Sequence, residues 1–147
     1  MPGRAGRYAM RAAILGGLLM SGVLPACAAT LTVDVEGKMA SSGPVRMVLY
    51  DGPNGFRHED SAIAVLSAKP DGNRASATFE NLKPGRYAVI VYQDENGNRK
   101  LDLFMGMFPE ESWGLSQDPV VMGPPSFDAS AFDVAQGPNK VDIHLKD

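Results

Sequence analysis

One cysteine, two histidines and one tryptophan among 147 residues leave little material for the chemistries that depend on them. Cys27 has no partner for a disulfide within the chain, so stability has to come from a packed core. Transition-metal sites built on His and Cys clusters have no raw material here. There is no Gly-x-Ser-x-Gly elbow and no His-Glu-x-x-His pair, which removes the two commonest sequence signs of a hydrolase. Positive charge is also short: 14 Lys and Arg stand against 17 Asp and Glu, for a net charge of −3. No basic cluster interleaved with aromatics offers a footing for nucleic acid phosphates.

Long apolar runs are missing too, with one exception. Arg4, Arg7 and Arg11 precede the run Ala12–Leu24, and Ala26-Cys27-Ala28-Ala29 follows it. Those are the three parts of a secretory signal peptide, and the run is shorter than the ~20 residues a membrane-spanning helix needs. The expected division is a leader over residues 1–28 and one domain over 29–147, exported to a periplasmic or extracellular space, with no transmembrane segment behind the leader. Leu24-Pro25-Ala26-Cys27 gives a second reading, lipoprotein processing at Cys27, although Pro25 occupies a place that normally holds a small or aliphatic residue. Removing the leader takes away three arginines and leaves 11 basic against 17 acidic residues, net −6.

What is present is period-2 alternation. Thr30–Glu36 alternates Leu31, Val33 and Val35 with Thr32, Asp34 and Glu36, as a half-buried strand does. Val45–Tyr50 is apolar on both faces and is expected nearer the middle of a sheet. Ile63–Ala68 is a weaker strand, and Pro70-Asp71-Gly72-Asn73 is expected to turn it into Arg74–Glu80 as a hairpin. Arg86–Gln93 has Tyr87, Val89 and Val91 on one face and Ala88, Ile90 and Tyr92 on the other. Both faces are apolar, which places it centrally. Ala131–Ala135 and Lys140–Lys146 complete about seven strands, while Leu101–Phe127 has no periodicity and reads as one long irregular loop. Without a convincing amphipathic helix after the leader, the expected fold is all-β, a single antiparallel β-sandwich of prealbumin or immunoglobulin type.

The one local pattern that points to chemistry is YAVIVYQDENGNRKLD, Tyr87–Asp102. Counted from Asp94 as position one, Asn96 is third, Asn98 fifth, Lys100 seventh and Asp102 ninth. That is the oxygen spacing of an EF-hand-like calcium loop, in which position seven contributes its backbone carbonyl. Arg99 stands at the sixth position, where glycine makes the sharp turn, and Met105 at the twelfth, where a glutamate normally closes the shell. Glu110 or Glu111 could supply that carboxylate, with affinity in the weak range of about 0.1 to 1 mM. The competing reading is a plain Asn96-Gly97 turn whose neighbouring Asp and Asn side chains cap their own backbone.

A hydrolase reading rests on His58, which neighbours Glu59 and Asp60, as a general base with loop carboxylates. His144 falls on the outward face of the last strand. Glu110 and Glu111, adjacent in an extended chain, point oppositely and make a poor glycosidase pair. Phe104, Phe108, Trp113 and Phe127 on or beside the long loop read as lids over the core. Exposed, they would suit a carbohydrate ring or a protein partner.

Four blocks in order carry a resemblance: VRMVLYD, FENLKPGRYAVIVYQDENGNRKLD, Gly106 followed by PEESWGLS, and GPPSFDASAF. FENLKPGRYAVIVYQD looks like the strand, Pro-Gly turn, strand signature of prealbumin-like and carboxypeptidase-regulatory-like sandwiches. Together the blocks resemble the secreted bacterial family named domain of unknown function 2141, which implies an exported β-sandwich and no particular activity or ligand. The family commonly has glycine where this chain has Arg99. The fit of that turn is therefore a question for the structure.

Overall fold

The computed structural model describes residues 28–147; Cys27 and all but the last residue of the expected leader lie outside the described residues. The strands are β1 (Ala29–Glu36), β2 (Val45–Tyr50), β3 (Ala64–Ala68), β4 (Arg74–Leu82), β5 (Gly85–Gln93), β6 (Leu103–Phe104), β7 (Phe108–Pro109), β8 (Trp113–Leu115), β9 (Phe132–Val134) and β10 (Pro138–His144). A single helical turn, α1 (Phe127–Ser130), and a 3-10 turn at Glu59–Ser61 are the helical elements described. The seven strands expected from alternation are all present. The three additional ones, β6, β7 and β8, lie in the segment expected to be irregular.

Two sheets stack as in a sandwich. One has the order β10-β1-β4 and the other β3-β2-β5-β8, with β9 also pairing β5. Leu31, Val33 and Val35 of β1 and Ile143 of β10 meet Val45, Met47 and Leu49 of β2 and Tyr87, Val89 and Val91 of β5 in one buried core. Each fully buried Val, Leu or Ile there contributes about 1.5–3 kcal/mol. The opposite face of the larger sheet carries a second core of Val48, Tyr50, Ala88, Ile90 and Tyr92, roofed by Phe56, Leu115 and Phe127. β2 and β5 are apolar on both faces for this reason. One face meets the other sheet, and the other lies under the connecting segments.

Two expectations need correction. The smaller sheet is mixed, because β1 runs parallel to β10 in the register Thr30↔Pro138 to Glu36↔His144 while pairing antiparallel with β4. Alternation has the same period in parallel and antiparallel strands, so the pattern could not separate them. The expected hairpin of β3 and β4 does not form as a strand pair either. Asp71 and Arg74 close a tight turn by exchanging N–H···O bonds of 2.7 and 3.1 Å. Beyond it β3 pairs with β2 and β4 with β1, so the chain crosses from one sheet to the other.

β5 positions the candidate site. Its first residues pair with β9 (Gly85↔Val134 to Tyr87↔Phe132), its later ones with β8 (Ile90↔Leu115 to Tyr92↔Trp113), and β2 runs along its other side. Held on both edges, β5 delivers Asp94 to a fixed point at the end of the sandwich.

Candidate functional site

Gln93 and Asp94, the two residues where β5 ends, are buried at 0% and 2% exposure despite their polarity. Gln93 continues the inward row of Tyr87, Val89 and Val91, and its amide satisfies a whole connection. Oε1 accepts from Ala40 N at 2.7 Å, and Nε2 donates to the carbonyls of Ala40, Ser42 and Gly43 at 3.0 to 3.2 Å. Asp94 N donates to Pro44 O at 2.9 Å. Gly43, at φ 91°, passes so close that a Cβ there would sit 2.1 Å from the Asp94 carbonyl oxygen. Only glycine fits that crossing.

From this base the loop closes on itself. Asp94 Oδ1 accepts from Asn98 N at 3.1 Å and Oδ2 from Arg99 N at 2.9 Å. Asn96 Oδ1 accepts from Asn98 N at 3.0 Å, and Asn98 Oδ1 from Lys100 N at 2.9 Å. The side-chain oxygens at positions one, three and five thus draw in the backbone N–H groups of positions five, six and seven. Arg99 turns with φ 60°, a left-handed conformation that costs an arginine roughly 1–2 kcal/mol relative to a right-handed one. The turn that glycine usually makes is made here by Arg99.

The far end of the loop meets the near end. Asn96 Nδ2 donates to Asp102 Oδ2 at 2.6 Å, and Asn98 Nδ2 donates to both Asp102 carboxylate oxygens at 2.8 and 2.9 Å. The side chains of Asp94, Asn96, Asn98 and Asp102 therefore form one connected network. Lys100 is exposed and enters it through its backbone N–H. Met105, at the twelfth position, is exposed and has no oxygen to give.

Glu111 belongs to this network. At the bend that follows β7, Glu110 faces solvent while Glu111 is buried. Its Oε1 accepts from Glu95 N at 3.1 Å and its Oε2 from Asp102 N at 3.3 Å. Burial pushes its carboxyl above the ordinary range, the negative charges of Asp102 and Asp94 push the same way, and the two backbone N–H groups oppose them. Beside it, Lys38, Met39, Ala40, Glu95, Glu110 and Asp147 help line an open hollow of about 410 Å³. Among the described residues, no three of His, Cys, Asp and Glu are grouped so as to hold a metal ion by themselves, so a cation here also needs the Asn oxygens.

A second polar cluster was not anticipated. On the outer face of the larger sheet, Arg46 Nη2 donates to Glu59 Oε1, Arg46 Nε donates to Tyr92 Oη at 3.0 Å, and Tyr92 Oη donates to Glu59 Oε2 at 2.8 Å. Burial, then the Glu59 charge, pushes Tyr50 nearby up to about 12; burial and the Glu59 contact raise Tyr92 as well. Arg46 was the visible signal, a cation within an otherwise apolar strand. Glu59 is thereby turned to Arg46, while the exposed His58 side chain forms no hydrogen bond among the described residues, and His144 is exposed on β10.

The aromatic residues divide. Phe127 is buried edge-on to Phe56, with ring centroids 5.8 Å apart, and Trp113 packs half-buried on the outer core. Phe108 is exposed on the β6–β7 hairpin, and the Phe104 side chain lies outside the described residues.

No helix among the described residues is long and apolar enough to cross a membrane. Searches of the curated proteins and of the solved structures return no match to this chain. A family model does match, across residues 33–142 and so across β1 to β10, the Asp94–Asp102 loop and Glu111. With most of its length inside that match, the chain belongs to the bacterial family described as "Uncharacterized protein conserved in bacteria (DUF2141)".

Proposed function

We propose that the protein is a non-enzymatic binding or accessory module of an exported compartment, in which the Asp94–Asp102 loop takes up a calcium ion. The observation that carries this reading is the closed network of Asp94, Asn96, Asn98 and Asp102, with Glu111 behind it. Each carbonyl oxygen has two lone pairs. Asn96 Oδ1 and Asn98 Oδ1 each spend one on a backbone N–H and keep the other for a cation. Asp102, now held by amide N–H groups, then turns its carboxylate to the ion, and Lys100 offers its backbone carbonyl.

Calcium suits such a loop better than magnesium, because it accepts six to eight oxygens in irregular geometry whereas magnesium demands a near-ideal octahedron. The ion also offsets the mutual repulsion of Asp94, Asp102 and Glu111. By tying Asp102 to Asp94 it fixes the start of the 101–127 segment, whose surface we assign to a protein or carbohydrate partner.

Isothermal calorimetry on the full chain tests the reading. The expected result is a single site with Kd about 0.1–1 mM, lost in Asp102→Ala and Asp94→Ala. At twentyfold excess over Kd the ion adds about 2 kcal/mol to stability. No heat and no melting shift in millimolar calcium would overturn it.

A further inference from the structure

Two methionines stand in water at the tip of the β6–β7 hairpin. Leu103 pairs with Pro109 and Phe104 with Phe108, so Met105-Gly106-Met107 is the connection between the strands. Met105 is 77% exposed and Met107 69%. Met105 also takes a left-handed backbone, φ 53°, followed by Gly106 at φ 72°. Asn or Gly adopts that conformation at little cost. Methionine there is unfavourable twice, once for its backbone and once for an apolar side chain left in solvent. Within the sandwich, by contrast, Met47 is fully buried and Met39 packs on the inner core, while Met122, before α1, stands in water as the hairpin pair does. A residue that the fold would not choose on either count is a candidate for the chemistry of its side chain.

That chemistry is a soft, neutral sulfur donor which does not titrate. Thioethers favour copper(I) over the hard divalent ions that suit oxygen ligands. Met105 and Met107 flank one glycine in a closed hairpin, so once one sulfur has bound, the second arrives at a high effective concentration. No cysteine or histidine lies between Gln93 and Phe127 to compete for the ion. The loop just before the hairpin offers oxygens alone.

We infer that Met105 and Met107 bind a soft monovalent cation, copper(I), through their two Sδ atoms. The ion enters and leaves as copper(I), exchanging solvent or buffer ligands for sulfur with no change of oxidation state. Silver(I), which is stable in air, serves as the probe.

The test is a silver nitrate titration of the full chain in chloride-free buffer. A Cys27→Ser background removes the one thiolate, and ε-¹³C-methionine NMR reads each methyl separately. The Met105 and Met107 methyls are expected to shift together and saturate at one equivalent, while Met39, Met47 and the fully exposed Met122 do not move. Met105→Leu and Met107→Leu keep side-chain size and apolarity, so they leave the fold and any purely apolar contact in place. Each is expected to weaken silver binding at least tenfold. Millimolar calcium and Asp102→Ala leave the titration unchanged, which separates this site from the oxygen loop. The inference is overturned if Met122 shifts in parallel with the hairpin pair, if either leucine variant binds as tightly as the parent, or if stoichiometric silver moves neither methyl.

Discussion

Two polar clusters flank β5, and they differ in the sign of what they gather. On the outer face, Arg46 meets Glu59 and Tyr92, a cation with an anion and a phenol, and the charges close on one another. At the end of the strand, Asp94, Asp102 and Glu111 bring together carboxylates alone, stabilised by backbone N–H groups and two Asn amides. Opposite charges complete a structural link and need nothing further. Like charges brought near one another repel, and N–H dipoles offset only part of that repulsion. The outer cluster therefore reads as architecture, holding the 3-10 turn at Glu59–Ser61 onto the sheet; the inner one is where the proposed function would seat an ion.

Substitutions can break this comparison, beginning with the largest effect. Gly43→Ala drives a Cβ against the Asp94 carbonyl and is expected to cost about 3–4 kcal/mol, because backbone meets backbone and neither can yield. Denaturant midpoints measure the cost; a near-neutral result would mean that the acidic loop lacks the fixed base described above. Glu59→Ala leaves Arg46 facing the sheet without its carboxylate. We expect about 2–3 kcal/mol, less than for a fully buried pair because Glu59 retains 27% side-chain exposure. Its loss is expected to be the same with and without calcium.

A pH titration sharpens the contrast from the other side. Burial holds the Glu111 carboxyl above its unfolded value, so the folded state binds the extra proton more readily. Its contribution to stability is full below the unfolded pKa and is lost as pH rises through the folded one. If the loop binds calcium as proposed, the ion is expected to reverse the sign by pulling the Glu111 pKa down, and calcium affinity is expected to fall as pH drops through its titration. Carboxylate ¹³C NMR with and without calcium reads this directly, and a Glu111 pKa unmoved by calcium would count against the loop as a cation site.

The smallest effect belongs to a surface pair. Hydrogen bonds from Lys140 and Ser76 hold Asp34 below its ordinary value. That stability is present above the unfolded pKa and fades as pH falls through the folded one. Asp34→Asn is expected to cost less than about 1 kcal/mol in a melting curve, because water screens so exposed a pair.

The fold was legible where side chains alternate over a long run. β1, β2, β4 and β5 each show which faces they bury, and the double-faced apolarity of β2 and β5 marked them as central. Strand partners were not legible. Asp71 and Arg74 form the expected turn, yet a turn reverses the chain without choosing which sheet receives it. β8 was too short to announce itself, although Gly114 carried a sign: a Cβ there would lie 2.5 Å from the His144 carbonyl oxygen, and glycine between Trp113 and Leu115 marks a close backbone approach. Within the candidate site, the spacing of Asp94, Asn96, Asn98 and Asp102 was visible because one loop supplies all four. Gln93 and the choice of Glu111 over Glu110 depend on segments distant in sequence. A polar residue in the inward row of an apolar strand was the available clue to Gln93.

The most direct measurement is a crystal of this chain soaked in millimolar calcium and examined for anomalous scattering at the Asp94–Asp102 loop. The account predicts one peak with oxygens of Asp94, Asn96, Asn98 and Asp102 and the Lys100 carbonyl at 2.3 to 2.6 Å. A map in which the two Asn amides still donate to Asp102, with no peak between them, would contradict it.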